Sequence, residues 1–257
     1  MLHIHPVPAF RDNYIWIIHN QRDAVVVDPG EAAPAIEFLQ QHRLRLNAIL
    51  ITHHHSDHTG GIAQLQQWHD APVYGPAAEA IAAVTQPLRE HDRVILPALP
   101  LDLSVIDIAG HTRGHIAYYG ATPFNMVFCG DTLFACGCGR VFEGTPPQMY
   151  QSLQKLSRLP DDTLIYCTHE YTLGNVAFAT TIDPDNAALT QFAAQAQQLR
   201  QQNLPTLPVT LGLERTINPF LRCDQALIIA SAQHHCGHTL ADPESVFTVL
   251  REWKNNF

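Results

Sequence analysis

Residues 52–58 read Thr52-His53-His54-His55-Ser56-Asp57-His58, four imidazoles and a carboxylate within six positions, directly after the apolar run Ile49-Leu50-Ile51. These side chains offer nitrogen and anionic oxygen donors, a set that suits zinc, iron or manganese; magnesium and calcium prefer shells of oxygen alone. The chemistry they point to is metal binding. In an extended segment the faces alternate, so His53, His55 and Asp57 point one way and His54 the other. His58 needs a turn to join the first set, and Gly60-Gly61 supplies one before Ile62, Leu65 and Trp68 recur at helical spacing. His54 is read as a non-ligand.

The same arrangement recurs three times. Residues 101–108 run into Ala109-Gly110-His111-Thr112, residues 125–129 into Gly130-Asp131-Thr132, and residues 163–167 into Thr168-His169-Glu170. Apolar strands that each end in a ligand-type residue deliver those residues to one rim of a sheet, where loops carry function. The candidates are His53, His55, Asp57, His58, His111, Asp131 and His169, with His115 an alternative to His111 that the residues alone do not exclude. Seven donors exceed one tetrahedral zinc. Two metals sharing one carboxylate, with a bridging water or hydroxide, use them all.

The elements that must hold these residues alternate between strand and helix. Residues 13–18 and 24–27 read as a hairpin, with Asp28-Pro29-Gly30 at its end; residues 34–44 are helical in spacing, and a strand at 48–51 delivers the motif. Short strands are expected at 72–74 and 93–96, and a helix at 146–159 with Met149, Leu153 and Leu156 on one face. From residue 185 the character changes. Residues 185–202 form the clearest helix, with Asn186 as its N-cap; residues 204–219 read as a proline-punctuated connector, and 224–234 and 243–254 as two more helices. This is a layered α/β pattern followed by a helical region, the boundary lying near residues 170–181.

Bulk properties exclude several classes. The chain has 257 residues, 46% hydrophobic and 15% charged, with a formal net charge of −9. That describes a folded protein with a real core, and the acidic balance argues against nucleic acid as the main partner. No secretory leader or membrane-spanning run is visible, and the six scattered cysteines are expected to be reduced thiols, so the chain is read as cytoplasmic. Asp28 is weighed equally as a carboxylate orienting a ligand histidine and as a turn former. The cluster His234-His235-Cys236-Gly237-His238 is read as a helix end capped by Gly237.

The His-x-His-x-Asp-His signature with Gly110-His111-Thr112, Gly130-Asp131-Thr132 and Thr168-His169 resembles the metallo-β-lactamase superfamily. Gly137-Cys138-Gly139-Arg140 and Asn218-Pro219-Phe220-Leu221-Arg222 narrow the resemblance, which spans nearly the whole chain, to its hydroxyacylglutathione hydrolase (glyoxalase II) family. The resemblance implies a four-layer αββα sandwich in residues 1–169, carrying the metals, and a helical substrate-binding domain in residues 170–257. It assigns His53, His55 and His111 to one metal and Asp57, His58 and His169 to the other, with Asp131 bridging. His115 drops out. Zn2+ is the expected metal, with iron or manganese as alternatives.

The implied reaction is hydrolysis of S-lactoylglutathione to glutathione and lactate, the last step of methylglyoxal detoxification, by a metal-bridging hydroxide that Asp57 and Asp131 position. The leaving thiolate, with a pKa of roughly 8.5, needs little help from a general acid, and none is obvious. The resemblance also places Arg140, Phe142, Tyr171, Arg251 and Lys254 against glutathione. Arginine at 140, where some members have lysine, would grip a carboxylate as a planar fork; phenylalanine at 142, where others have tyrosine, keeps the apolar wall and loses a donor. A monomer is expected. The rival readings are a mononuclear-iron glutathione persulfide dioxygenase, which needs fewer ligands, and another hydrolase of the superfamily.

Overall fold

β-Branched and aromatic runs divide the first two-thirds of the chain into short strands, and the computed structural model describes residues 1–257. The first sheet contains β1 (His3–Ala9), β2 (Asn13–His19), β3 (Asp23–Val27), β4 (Arg45–Leu50), β5 (Val73–Pro76) and β6 (Gln86–Leu88), in that order across the sheet. Its first three strands are antiparallel and the rest parallel. Every residue of β2 and β3 is buried, as expected of a sheet covered on both faces. The expected hairpin is β2–β3; β1, rich in histidine and proline, had no clear strand signal.

On one face lie α1 (Ala32–Gln41) and α3 (Ile62–Trp68), whose Ala35, Leu39, Ile62 and Leu65 share a core with Ile15, Ile17, Val26 and Ile49. Burying an aliphatic side chain of this kind contributes about 1.5–3 kcal/mol. The second sheet contains β7 (Arg93–Leu96), β8 (Leu101–Asp107), β9 (Ile116–Gly120), β10 (Met126–Gly130), β13 (Leu164–Cys167) and β14 (Val209–Thr210), in the order β14-β13-β10-β9-β8-β7. The two sheets meet through buried aromatic groups with polar ends. Tyr118 Oη donates to Ile51 O (2.8 Å), Trp16 Nε1 donates to Cys167 O (3.0 Å), and the Trp16 ring meets Tyr166 edge-on at 4.9 Å.

The chain divides into two compact units. One comprises Met1–Asp107, Thr112–Gly130 and Tyr166–Glu170; the other comprises Ile108–His111, Asp131–Ile165 and Tyr171–Phe257. The second unit contains a small hairpin, β11 (Leu133–Phe134) with β12 (Gly137–Cys138), and the helices α4 (Pro146–Leu156), α5 (Thr172–Ile182), α6 (Ala187–Gln201), α7 (Leu211–Ile217), α8 (Ala226–Cys236) and α9 (Pro243–Asn255). Phe178, Phe220, Phe247 and Trp253 form its aromatic core. Asn186 caps α6, its Oδ1 accepting from Leu189 N at 3.1 Å. The stretch expected to be a connector holds β14 and α7, because Thr210 caps about two turns of helix between the prolines. Gly237, at φ 77°, ends α8 as expected.

Candidate metal centre

After β4 the chain leaves the sheet, and Asp57 and His58 stand on a one-turn helix, α2 (Ser56–Thr59). The strand alternation expected of Asp57 therefore stops short of it, and helical rotation brings His58 round to the same side. The turn is possible because Gly30 and Gly60 let backbones touch. A Cβ on Gly30 would lie 1.9 Å from the carbonyl oxygen of Asp57, and one on Gly60 would lie 2.7 Å from that of Gly30.

In the first unit one side-chain oxygen and two imidazole nitrogens converge. His58 Nε2 lies 3.6 Å and His169 Nε2 lies 3.5 Å from Asp57 Oδ2, and these three residues offer ligand atoms all within 4.8 Å of one another. The far side of each ring faces a carboxylate. Asp28 Oδ2 is 3.1 Å from His58 Nδ1, and Asp12 Oδ1 is 3.0 Å from His169 Nδ1. A carboxylate at Nδ1 keeps the proton there and turns Nε2 toward the centre as a lone-pair donor. Asn13 Nδ2 donates to Asp57 Oδ2 at 3.1 Å and restrains the third member.

Asp28 does more than face His58. Its Oδ1 accepts from Thr52 N (2.8 Å), and its Oδ2 accepts from Thr52 Oγ1 (2.7 Å) and Thr168 Oγ1 (3.4 Å), so it joins the ends of β3, β4 and β13. Of the two sequence readings, the carboxylate beside a histidine is the one observed, on a left-handed backbone at φ 51°. Thr52 Oγ1 also lies 3.1 Å from His53 Nδ1. The His53 ring, wholly buried, sits 4.7 Å from His55, 4.0 Å from His58 and 4.5 Å from His115, on which it stacks. His115 Nδ1 is 3.1 Å from Ile116 O. Glu79, whose carboxyl is pushed up by burial, accepts from Thr112 Oγ1 and Gly114 N.

His111 and Asp131 lie in the second unit, Nε2 to Oδ2 at 3.4 Å. His111 Nδ1 is 2.8 Å from Arg140 O, and Phe142 stands against the imidazole at 5.2 Å. Gly139 is essential to this geometry, because a Cβ there would fall 1.8 Å from Asp131 O. The residues expected to bind substrate are also in this unit. Arg140, Phe142 and Tyr171 are exposed, and Tyr171 meets Phe134 edge-on at 5.3 Å. Lys254 lies 5.0 Å over the Phe178 ring, with burial first and the neighbouring Arg251 second pulling its ammonium down to about 8. Arg251 is buried, and its Nη1 donates to Cys138 O at 2.7 Å and Gly139 O at 3.3 Å.

The donor chemistry fits divalent transition metals. Nitrogen and carboxylate oxygen predominate, and the six cysteines are free thiols outside these groups. Sequence reasoning missed the roles of Asp12, in the turn before β2, and of Asn13, its first residue, because neither carries a motif.

Residues 9–169 match the family model described as the metallo-beta-lactamase superfamily, and residues 170–257 match the one described as hydroxyacylglutathione hydrolase C-terminus. Over its whole length the chain is 56% identical to the hydroxyacylglutathione hydrolase of Nitrosomonas europaea, covering 97% of that protein. Among solved structures, ETHE1 from Myxococcus xanthus aligns with a TM-score of 0.64 at 22% identity, over 99% of this chain and 98% of that one. TTHA1623, in a di-iron-bound form, aligns with a TM-score of 0.60 at 26% identity, over 84% of this chain and 100% of that one.

Proposed function

The chain belongs to the hydroxyacylglutathione hydrolase family of the metallo-beta-lactamase superfamily, and from that premise we propose S-lactoylglutathione as its chief substrate. It is a metal-dependent thioester hydrolase of the glyoxalase pathway, and glutathione and lactate are the proposed products. The observation that carries the reading is that one chain joins both matched regions end to end, at residues 169 and 170. The same junction supports residues 1–169 as a catalytic domain and residues 170–257 as a substrate-binding domain.

Two metal positions are proposed: His53, His55, His111 and Asp131 for one, and Asp57, His58, Asp131 and His169 for the other. Support for the second is the convergence of Asp57, His58 and His169; for the first, it is the His53–His55 contact and, separately, the His111–Asp131 approach. Zn2+ is the proposed metal. The di-iron form of TTHA1623 shows that a protein of this fold holds two ions. Two cations would supply Lewis acidity toward the thioester carbonyl and a deprotonated water near neutral pH. Asp57, restrained by Asn13, orients the nucleophile, while Asp12 and Asp28 face the Nδ1 atoms of His169 and His58 and so orient both rings with Nε2 toward the centre. The thiolate leaves unaided, with a solution pKa of roughly 8.5.

Arg140, Phe142, Tyr171 and Lys254 are the proposed glutathione contacts, and Arg251, proposed with them from the sequence, is buried and would act through the Cys138 and Gly139 carbonyls it holds. Cytoplasmic location is proposed from the six free thiols, and no helix is long and apolar enough to cross a membrane. A monomer is the proposed assembly. The test is release of free thiol from S-lactoylglutathione by metal-loaded protein, with Asp131→Ala reduced by at least 100-fold. A sample shown to carry both metals that releases no thiol would sink the proposal.

A further inference from the structure

The hairpin that leads to Arg140 has little ladder of its own. β11 and β12 pair at two positions, Leu133 with Cys138 and Phe134 with Gly137, and Cys136 in the turn sits in the left-handed region at φ 57°. Buried side chains from the last third of the chain take up the polar groups that the ladder leaves. Asn175 Nδ2 donates to Ala135 O (2.9 Å), and Arg251 Nη1 donates to Cys138 O (2.7 Å) and Gly139 O (3.3 Å). Asn218 Nδ2 donates to Gly137 O at 2.9 Å, with a longer contact to Phe134 O at 3.4 Å.

Glu214 completes the set. Its Oε2 accepts from Cys136 N (2.8 Å) and from Asn218 Nδ2 (2.7 Å), so one carboxyl holds both the strained turn and the amide that reads the next carbonyl. Glu214 is wholly buried, and its Oε1 has no hydrogen-bond partner. Burial pushes its carboxyl up to about 8 against the pull of the two N–H donors, which favours the neutral acid. A neutral acid here acts as an acceptor. An apolar pair of the same volume would fill the space equally well but would leave the Cys136 N–H and the Gly137 carbonyl unpaired.

We infer that Glu214 and Asn218 are positioning residues for substrate binding: together they set the segment from Phe134 to Gly139 so that Arg140 is presented to the glutathione portion of the substrate. This rests on the reading of Arg140 as a substrate contact. The metal side of the same segment has its own restraints, Gly139 N donating to Thr132 O at 3.0 Å and the close approach of Gly139 to Asp131. Loosening the Glu214 end therefore acts on binding before it acts on His111.

The test compares Glu214→Gln, which keeps the acceptor, with Glu214→Leu, which keeps only the volume, using metal-loaded full-length protein and S-lactoylglutathione. The Leu variant is expected to raise KM about tenfold or more, with kcat within about threefold and metal content unchanged; the Gln variant is expected to return KM to within about twofold of wild type. Asn218→Ser, which can still cap Phe220 N–H but cannot span to Gly137, replaces the Leu variant if that does not fold, with the same expectation. Unchanged KM in the acceptor-free variants, a fall in kcat without a rise in KM, or a Gln variant no better than Leu would each overturn the inference. Thiol release by the wild type decides the substrate separately. An active wild type with indifferent variants removes only the positioning role.

Discussion

Asp28 stands where three strand ends meet, on a backbone conformation that costs of order 1–3 kcal/mol for a residue with a side chain. The surroundings hold it there because its two oxygens take hydrogen bonds from Thr52 and Thr168 and face His58. Asp12 does the simpler half of this work for His169. Carboxylates behind ligand histidines typically change metal affinity by about 10–100-fold. Asp28→Asn and Asp12→Ala are each expected to weaken binding at the Asp57, His58 and His169 group by that factor, read by competition with a chromophoric chelator. Affinities equal to wild type would show that these carboxylates serve folding alone.

At the scale of the element, the centre depends on α2 turning immediately after β4, and the turn depends on backbone contact. The atom that a Cβ on Gly30 would meet is a main-chain oxygen, which cannot swing aside as a side chain can. Gly30→Ala is therefore expected to destabilise the protein by about 2 kcal/mol or more, a fall of about 4–8 °C in melting temperature for a chain of this size. Measured on metal-free protein, the loss separates backbone displacement from weakened metal binding; an unshifted melting curve would mean that the α2 turn relaxes freely. In the helical region the element boundaries follow their caps. Asn186 starts α6 and Asp242 starts α9, while α7 lies between prolines that obscure it.

For the whole molecule, Glu214 couples stability to pH. Its carboxyl titrates near 4.5 when unfolded and at about 8 when folded, so between those values the folded state holds a proton that the unfolded state has released. Its contribution is therefore full below about pH 4.5 and is lost as pH rises through about 8. Glu214→Gln cannot titrate, so the difference in unfolding free energy between variant and wild type should move in the variant's favour from pH 5 to pH 9, by up to a few kcal/mol. Parallel pH profiles in urea unfolding would contradict a buried neutral acid. The likeness to ETHE1 at 22% identity concerns the fold, which hosts more than one chemistry. The choice of a glutathione thioester follows from the family membership, and residues 170–257 carry its distinguishing match.

Metal binding was legible in the sequence because ligand type and short spacing are local: His53, His55, Asp57 and His58 lie within six positions, and His111, Asp131 and His169 each follow an apolar run. The β2–β3 hairpin and the helices α4, α6 and α9 were legible for the same reason, since periodicity and caps are properties of neighbouring residues, whereas β6 carried no such signal. Tertiary structure decided what depends on distant partners. It set Asp12 behind His169 and Asp28 behind His58, turned Arg251 inward to the Cys138 and Gly139 carbonyls, and joined Glu214 to Cys136 across 78 positions of chain. A hydrogen bond between residues so far apart leaves no period or spacing in the sequence, and only the folded chain brings its two ends together.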